Sequence, residues 1–492
     1  MEHDKSHTRL ATPPHIATNA FCDIPLVMEH DYIQRLRDTL KDQERDHEPW
    51  TSGVVNLKGS ESLLFYKCKD GTARVVDLAA ISQADIDALV DACEPAPFGR
   101  GPESVLDDTY RKALKLDETL FAWRFNPDSG NFIAQLAQRL CPWDTLGKGF
   151  RAEATKLNIY SEGGFFKAHQ DTPRSETMFG SLVFTFDTPH TGGNLVLRHR
   201  TRSLKFDAPS LLASEPSPSV AYVAFYSDVE HEVLKVTSGS RITITYNLYF
   251  DPSRAAPILP SQRFPLPENP FMALIKEVSE DASFTQKYKY LGFGLEYKYP
   301  SSCTEERYPR LHDLKGPDAF VFRALQDVGL VPRLHYLYES QEVTWGEQFD
   351  LLLTKPLDGR EECSVEVDQM FWLLDEDPKA KIVWRKGESE ETLIEQARRM
   401  FEGNIKENRD RSIHVEWVTE PTKNLAGHTH YEESGNEPIQ EIYYYQVCIV
   451  VGVGDVSSSD KEDSCSGEDN SCSGEDDSCS DEEGSCSFEE DT

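Results

Sequence analysis

The sequence predicts an α+β protein whose core is an all-β sandwich or barrel. Between residues 152 and 250, short segments rich in β-branched and aromatic residues are separated by Gly, Pro and Asp turns. That spacing is typical of sandwiches and barrels and not of alternating βαβ units. On both sides of this block, apolar residues recur at helical spacing. The 492 residues, 38% of them hydrophobic, suffice for two or three domains around a packed core.

The first third of the chain predicts an arm followed by a support region. Residues 1–50 are polar and His-rich, which predicts a flexible arm ending in a short helix. Residues 51–151 predict mixed helices and strands, beginning with strand-like alternation in VVNLKG and SLLFYKC. Ser82 is a candidate N-cap for the helix QADIDALVDAC. A second helix, FIAQLAQRLC, is expected to end at Pro142.

The strand-rich block and the segments after it complete the predicted organisation. Residues 152–250 predict the core strands KLNIY, SLVFTFD, NLVLRH, VAYVAFYSD and RITITYNLYF. Pro-rich residues 251–270 predict a linker. Residues 271–453 predict a mixed α/β region, either a separate domain or an extension of the core, with a helix in ETLIEQARRMFEGNI and strands in HVEWV and YYYQVCIVVGV. Residues 454–492 repeat CSGEDN-like units and predict a disordered acidic tail.

The charge of the chain argues against nucleic acid as a partner. The formal net charge is −34, and fifteen acidic residues against Lys461 place about −14 of it in the tail. No dense basic stripe occurs, so a phosphate-reading surface is not expected. The acidic tail is instead expected to bind basic partners, and its serines beside acids are candidates for phosphorylation.

The cysteines and the hydropathy pattern predict an intracellular protein. Of eleven cysteines, seven are scattered through the body without a CxxC pair and four lie seven residues apart in the tail. That pattern predicts reduced thiols. No run of eighteen apolar residues occurs, and the first residues lack the apolar stretch of a secretory signal. We therefore expect a cytoplasmic or nuclear protein without a membrane association.

One constellation carries chemistry. His169 and Asp171 are two residues apart, so on an extended segment both side chains project from the same face. His231, about sixty residues later, is far enough along the chain for intervening strands to return it to the first pair. Two histidines and one carboxylate form the facial triad that leaves open positions on Fe(II) for a cosubstrate and O₂. An isolated HxD pair or a single His is more often structural, and the combination predicts the metal site.

A basic residue, Arg241, lies ten residues after the third candidate ligand, His231. Arg241 begins the strand RITITYNL, where Arg241, Thr243, Thr245 and Asn247 share one polar face. 2-Oxoglutarate chelates iron by its keto oxygen and adjacent carboxylate, and arginine meets the remaining carboxylate through a planar fork of donors. Thr243 and the phenol of Tyr160 are further candidate donors. No catalytic residue beyond the metal centre is predicted.

At these residues the chain resembles the prolyl-4-hydroxylase-like branch of Fe(II)/2-oxoglutarate-dependent dioxygenases, especially its fungal members. The similar stretches are YSEGGFFKAHQDTP, GGNLVLRH and AFYSDVEHEVLKVTSGSRITITYNL, about a hundred residues in all. Weaker similarity extends to ACEPAPFGRG, LGFGLEY, LKGPDAF and SGNEP. The resemblance implies a double-stranded β-helix, or jelly-roll, with iron on His169, Asp171 and His231 and 2-oxoglutarate on Arg241 and Tyr160.

The resemblance also implies a reaction. O₂ and 2-oxoglutarate would be consumed, succinate and CO₂ released and a C–H bond hydroxylated, with ascorbate as a candidate auxiliary reductant. The substrate is open between a protein prolyl residue and a small molecule, while collagen is disfavoured without a secretory signal. An oxygen- or metabolite-responsive regulator or a scaffold on the same fold is the alternative. Arg174, Arg198 and Trp123 are candidate cleft residues, with ordinary structural roles favoured for each.

Three further patterns are interpreted as having no binding or catalytic role. Gly163–Gly164 and Gly192–Gly193 continue into no phosphate-binding motif, so we expect turns between strands. His428 and His430 lack a third ligand and predict a solvated loop. The evenly spaced tail cysteines do not form a preformed metal site.

Overall fold

The computed structural model describes fourteen stretches of the chain. These are residues 29–45, 47–100, 103–129, 131–141, 149–254, 266, 268–302, 314–339, 349–355, 377, 379–384, 412–421, 434–436 and 442–453.

The described chain before residue 142 forms an N-terminal region of helices and short strands. Its elements are α1 (Glu29–Arg45), β1 (Trp50–Asn56), β2 (Leu63–Lys67), β3 (Ala73–Asp77), α2 (Gln83–Ala92), β4 (Glu94–Pro95), β5 (Phe98–Arg100), β6 (Glu103–Val105), β7 (Arg111–Lys112), β8 (Leu114–Asp117), β9 (Phe121–Trp123) and α3 (Phe132–Leu140). Ser82 accepts a hydrogen bond from the Asp85 backbone N–H, which confirms it as the N-cap of α2.

The next hundred residues are almost entirely strand. They form β10 (Phe150–Ser161), β11 (Phe165–His169), β12 (Met178–Phe186), β13 (His190–Gly192), β14 (Leu195–His199), β15 (Arg202–Phe206), α4 (Ala208–Leu212), β16 (Ser219–Tyr226), β17 (Glu230–Val233) and β18 (Val236–Phe250). The five segments predicted as core strands all lie in these strands or extend just past their ends. Their β-branched and aromatic side chains are buried between facing sheets, as in β12, where every residue is buried.

The C-terminal region is mixed. Its described elements are α5 (Pro270–Glu280), α6 (Ala282–Lys287), β19 (Tyr290–Ser302), α7 (Gly316–Asp327), β20 (Pro332–Glu339), β21 (Phe349–Leu353), β22 (Lys381–Trp384), β23 (Ser412–Ile413), β24 (Val415–Thr419), β25 (Ser434–Gly435) and β26 (Ile442–Gly452). Single turns of 3-10 helix lie at Gly59–Ser62, Glu118–Leu120 and Pro252–Arg254. The strands predicted in HVEWV and YYYQVCIVVGV correspond to β24 and β26.

Two facing sheets form the jelly-roll and confirm the predicted fold class. Among the described residues, the larger sheet has the order β1-β16-β12-β18-β10-β8-β4, with β13 paired to β18. The smaller sheet has the order β15-β14-β17-β11-β7. Neighbouring strands in both sheets are antiparallel. Because β1, β4, β7 and β8 come from the N-terminal region, the jelly-roll reaches beyond the predicted core of 152–250.

The C-terminal strands form a sheet of their own. In the described part of the chain its order is β23-β22-β21-β20-β26-β19-β24, with α5 and α7 packed nearby. The sequence left two possibilities for this region, a separate domain or an extension of the core. Among the residues that the structure describes, this sheet shares no strand with the jelly-roll. One short strand of the C-terminal region, β25, pairs with β5 of the N-terminal region.

Helix α1 lies within the segment expected to be a flexible arm. Its buried residues Ile33, Leu36 and Leu40 recur at helical spacing. Tyr32 meets Phe284 edge-to-face at 5.7 Å, and Arg37 donates to the backbone carbonyls of Trp417 and Val418. The helix is therefore held by the C-terminal region, through contacts between residues about 250 to 380 positions apart.

Several expectations fall on residues outside the described stretches. These are the helix in ETLIEQARRMFEGNI, the pair His428 and His430, most of the linker 251–270, and the acidic tail with its cysteines. Across the described residues, no helix combines the length and apolarity needed to cross a membrane.

Candidate metal and cosubstrate site

The antiparallel pairing of β11 with β17 brings the two histidines together. His169 and His231 are direct register partners, and their ring centroids lie 4.2 Å apart. Asp171 follows just beyond β11, where its backbone N–H donates to the Ser227 carbonyl at 3.2 Å. One ligand atom from each of the three side chains lies within 4.8 Å of the others, and all three side chains are buried.

Hydrogen bonds on the far side of each ring set the histidine tautomers. His169 Nδ1 lies 2.8 Å from the Lys167 carbonyl, and His231 Nδ1 lies 3.0 Å from the Val229 carbonyl. A carbonyl only accepts, so each Nδ1 carries the proton and each Nε2 keeps a free lone pair. Burial, His231 and Arg111 together hold the pKa of His169 well below its ordinary value. The neutral imidazole is the form that ligates a metal.

The carboxylate of Asp171 is held from two sides. Ser181 on β12 donates to Oδ2, and the side-chain amide of Asn436 donates to Oδ1 at 2.7 Å. Asn436 also accepts from the Thr172 backbone N–H at 2.9 Å. His231 Nε2 lies 3.7 Å from Asp171 Oδ1. Two neutral imidazole nitrogens and one oriented carboxylate are the donor set that Fe(II) takes in a facial triad, so these residues fit the metal.

A pocket with about 670 Å³ of empty space, partly open to solvent, lies beside this triad between the two sheets. Its lining comprises Arg111, Thr155, Lys156, Asn158, Tyr160, Phe166, His169, Asp171, Arg174, Ser181, Val183, Leu195, Phe225, His231, Val233, Arg241, Thr243, Thr245, Asn247 and Asn436. The polar face predicted for RITITYNL, which lies in β18, lines it together with Lys156, Asn158 and Tyr160 of β10.

Arg241 enters the pocket from β18, opposite Tyr160 on β10. The two residues are register partners, and the guanidinium lies 5.6 Å from the phenol ring centroid. Arg241 Nη2 donates to Thr185 Oγ1 at 3.3 Å, and no carboxylate of the described chain pairs with it. Burial lowers the pKa of Arg241 to about 10, so it stays charged at neutral pH. A buried cation without an anionic partner favours an anionic ligand.

The glycine turn before β14 makes room for Arg241. Gly193 has a φ of +69°, which L-residues rarely adopt. A Cβ at this position would lie 2.8 Å from Val236 Cγ2 and 3.1 Å from Arg241 Cδ. Gly192–Gly193 at the end of β13 and Gly163–Gly164 between β10 and β11 are thus turns between strands, as expected.

The predicted site residues all line this one pocket: His169, Asp171 and His231 with Tyr160, Arg241 and Thr243. Of the three candidate cleft residues, only Arg174 lines it. Arg198 forms ion pairs with Glu230 and Glu232 and is 42% exposed at its side chain. Trp123 packs against Phe125, Phe184 and Phe186.

Three residues of the site were not among those predicted from the sequence. Ser181 and Asn436 hold Asp171, and Arg111 lies under the Phe166 ring that stacks on His169 at 3.7 Å. Ser181 lies within the predicted strand SLVFTFD, but nothing in the pattern marks its hydroxyl. Asn436 lies in SGNEP, one of the stretches of weaker resemblance, which was the available signal.

Residues 155–249 match the family described as the 2OG-Fe(II) oxygenase superfamily, which confirms the resemblance seen in the sequence. The comparison with curated proteins gives no match.

Solved structures similar to this chain include a prolyl-4-hydroxylase from Pseudomonas putida, at 16% identity over 44% of this chain and 99% of that one, with a TM-score of 0.25. A prolyl hydroxylase from Trichoplax adhaerens, in complex with a hypoxia inducible factor peptide fragment, matches at 16% identity over 47% and 97%, with a TM-score of 0.26. A viral collagen prolyl hydroxylase from Paramecium Bursaria Chlorella virus-1 matches at 12% identity over 42% and 98%, with a TM-score of 0.23.

Proposed function

We propose that the chain, whose residues 155–249 match the 2OG-Fe(II) oxygenase superfamily, is a 2-oxoglutarate-dependent dioxygenase that hydroxylates a C–H bond of a protein (prolyl-like) or small-molecule substrate. Succinate and CO₂ are the co-products. The observation that carries the proposal is the convergence of His169, Asp171 and His231 beside a pocket that also holds the buried Arg241.

The triad would hold Fe(II) through its two Nε2 atoms and the Asp171 carboxylate. Bound iron with 2-oxoglutarate and O₂ supplies the oxidising power needed to hydroxylate a C–H bond. The Lys167 and Val229 carbonyls keep both imidazoles in the ligating tautomer. Ser181 and Asn436 fix the rotation of the carboxylate, so the donor set is formed before metal arrives.

Arg241 would bind the carboxylate of 2-oxoglutarate that lies farthest from the metal. Its pairing with Tyr160 across β10 and β18 fixes its direction, and the phenol and Thr243 hydroxyl offer further donors. Apolar side chains on both sheets, among them Val183, Leu195 and Phe225, line the same pocket and limit its contact with water. A cleft that positions the reactants and excludes water is the protein's main contribution in this chemistry.

The test is release of succinate by the full chain supplied with Fe(II), 2-oxoglutarate and O₂. We expect His169→Ala, Asp171→Ala and His231→Ala each to abolish release and iron binding. The control His414→Ala removes an exposed histidine of the C-terminal region and should change neither succinate release nor iron binding.

Iron and 2-oxoglutarate binding without any succinate release would contradict an active hydroxylase. That result would favour the alternative, a regulatory or scaffolding protein built on a dioxygenase fold. Loss of release in His414→Ala to the same extent would show that the assay reports folding rather than the triad.

A further inference from the structure

The pocket is strongly cationic within an acidic protein. Four cationic side chains line it, Arg111, Lys156, Arg174 and Arg241, against the single carboxylate of Asp171. The chain as a whole has a formal net charge of −34. Cationic side chains gathered in a cleft focus the local electrostatic potential and attract anions, even when the protein as a whole is negatively charged.

The iron and 2-oxoglutarate of the proposed function account for only part of this charge. The two positive charges of Fe(II) would be balanced by Asp171 and by one carboxylate of 2-oxoglutarate. Arg241 balances the other carboxylate. Arg111 would therefore remain a buried cation with no anion beside it.

Arg111 is built into the pocket wall. Its side chain is 4% exposed, Nη1 donates to the Pro97 carbonyl at 2.7 Å and Nη2 to Asn158 Oδ1 at 2.9 Å. The guanidinium lies 4.4 Å from the centroid of the Phe166 ring. Its Nε is buried without a hydrogen-bond partner, and no carboxylate of the described chain pairs with it. A buried charge is costly unless an opposite charge accompanies it.

Two further cations lie toward solvent from Arg111 and Arg241. Arg174 is exposed, and Lys156 on β10 is half-buried. Positive charge thus runs from the solvent-facing part of the pocket to its buried wall, which favours entry of an anion at one side and its pairing at the other.

We propose that the substrate presents a carboxylate that pairs with Arg111 beside the metal triad. This inference rests on the proposed function and narrows its substrate class to a small organic acid, or to a peptide that carries an acidic residue beside the hydroxylated position. The guanidinium is suited to the task because its planar fork pairs with carboxylates bidentately and stays charged.

The experiment uses the full chain loaded with Mn(II) and saturating 2-oxoglutarate, and measures paramagnetic broadening of probe protons. One matched pair is butyrate and butyramide, which represents a free acid. A second pair is N-acetyl-glutamate α-amide and N-acetyl-glutamine α-amide, which represents an acidic residue. We expect the carboxylate member of at least one pair to bind at least tenfold more tightly than its amide. The pair that discriminates identifies the source of the carboxylate.

Variants assign the preference to Arg111. Arg111→Gln should reduce the carboxylate preference to near unity, and Arg111→Lys should retain part of it. Arg174→Gln, at an exposed position, should weaken carboxylate binding by a smaller factor. The control Arg198→Gln removes an arginine of the same jelly-roll that lies outside the pocket and should leave the preference unchanged.

Equal broadening by acid and amide in the wild-type chain, or no broadening by any probe, would overturn the inference. So would broadening that falls as 2-oxoglutarate is doubled, because the probe would then occupy the cosubstrate position. If Mn(II) and 2-oxoglutarate themselves fail to bind, the proposed function fails first, and that result is distinct from loss of the carboxylate preference.

Discussion

Lys315 and Asp228 form a buried ion pair where the jelly-roll meets the C-terminal region. Lys315 Nζ lies 2.8 Å from Asp228 Oδ1, and the two side chains are 1% and 3% exposed. Asp228 Oδ2 accepts from the Lys298 backbone N–H at 2.8 Å, and Lys315 also donates to the Lys298 carbonyl. Asp228 lies three residues before His231, so this pair joins the C-terminal region to the segment that carries a metal ligand.

Removing the lysine of this pair should destabilise the protein strongly. Lys315→Met leaves the Asp228 carboxylate buried without a counter-charge, which costs about 3–5 kcal/mol. Denaturant unfolding measures the loss. Lys41→Met, which removes an exposed partner of Asp38, should cost no more than about 1 kcal/mol. The double variant Lys315→Met/Asp228→Asn should recover part of the loss, and equal costs in the two single lysine variants would contradict the structural role of the buried pair.

The same pair predicts loss of stability in acid. Burial alone raises the pKa of Asp228, but Lys315, His199 and the Lys298 N–H outweigh it and hold the pKa below its ordinary value. A depressed pKa in the folded state contributes stability above the ordinary value, near pH 4, and loses it as pH falls through the folded value. Unfolding free energies measured from pH 6 downward should therefore decrease below about pH 4. The slope should be shallower in Lys315→Met/Asp228→Asn, and an unchanged slope would assign the acid loss to other groups.

Arg241→Ala should mainly raise the demand for 2-oxoglutarate. A charge-assisted hydrogen-bond pair contributes about 1.5–3 kcal/mol, which corresponds to roughly a 10- to 150-fold higher KM. Initial rates of succinate release at varied 2-oxoglutarate measure the effect. Arg198→Ala serves as control, because its ion pairs lie outside the pocket. An unchanged KM in Arg241→Ala would mean that another cation anchors the cosubstrate.

Asn436→Ala should weaken metal binding without unfolding the protein. The substitution removes the donor that holds Asp171 Oδ1, and loss of such an outer hydrogen bond typically costs 10- to 100-fold in metal affinity. Competition titration with a metal-binding dye measures the change. Asn56→Ala, at an exposed asparagine of β1, should leave affinity unchanged. Wild-type affinity in Asn436→Ala would show that Ser181 alone orients the carboxylate.

Much of the jelly-roll could be predicted because its signals are local. Strands such as β12 and β18 are buried and rich in β-branched and aromatic residues, and the glycine pairs mark turns between them. The C-terminal sheet was predicted less completely, because β24 and β26 were expected as strands whereas β19 and β20 were not. Helix α1 was expected as the short end of a flexible arm, because its binding surface on α5 and β24 lies hundreds of residues away.

The sequence by itself determined which side chains can carry the chemistry. The two-residue spacing of His169 and Asp171, and the alternation that places Arg241 and Thr243 on one face of β18, are consequences of strand periodicity. Only the tertiary structure decided which distant groups join them. Arg111 reaches the pocket through strand pairing of β7 with β11, and Asn436 reaches Asp171 through β25. Hydrogen bonds and ion pairs between residues far apart in the chain produce no periodic pattern in the sequence. Which groups meet depends on how the strands and helices pack in the folded protein.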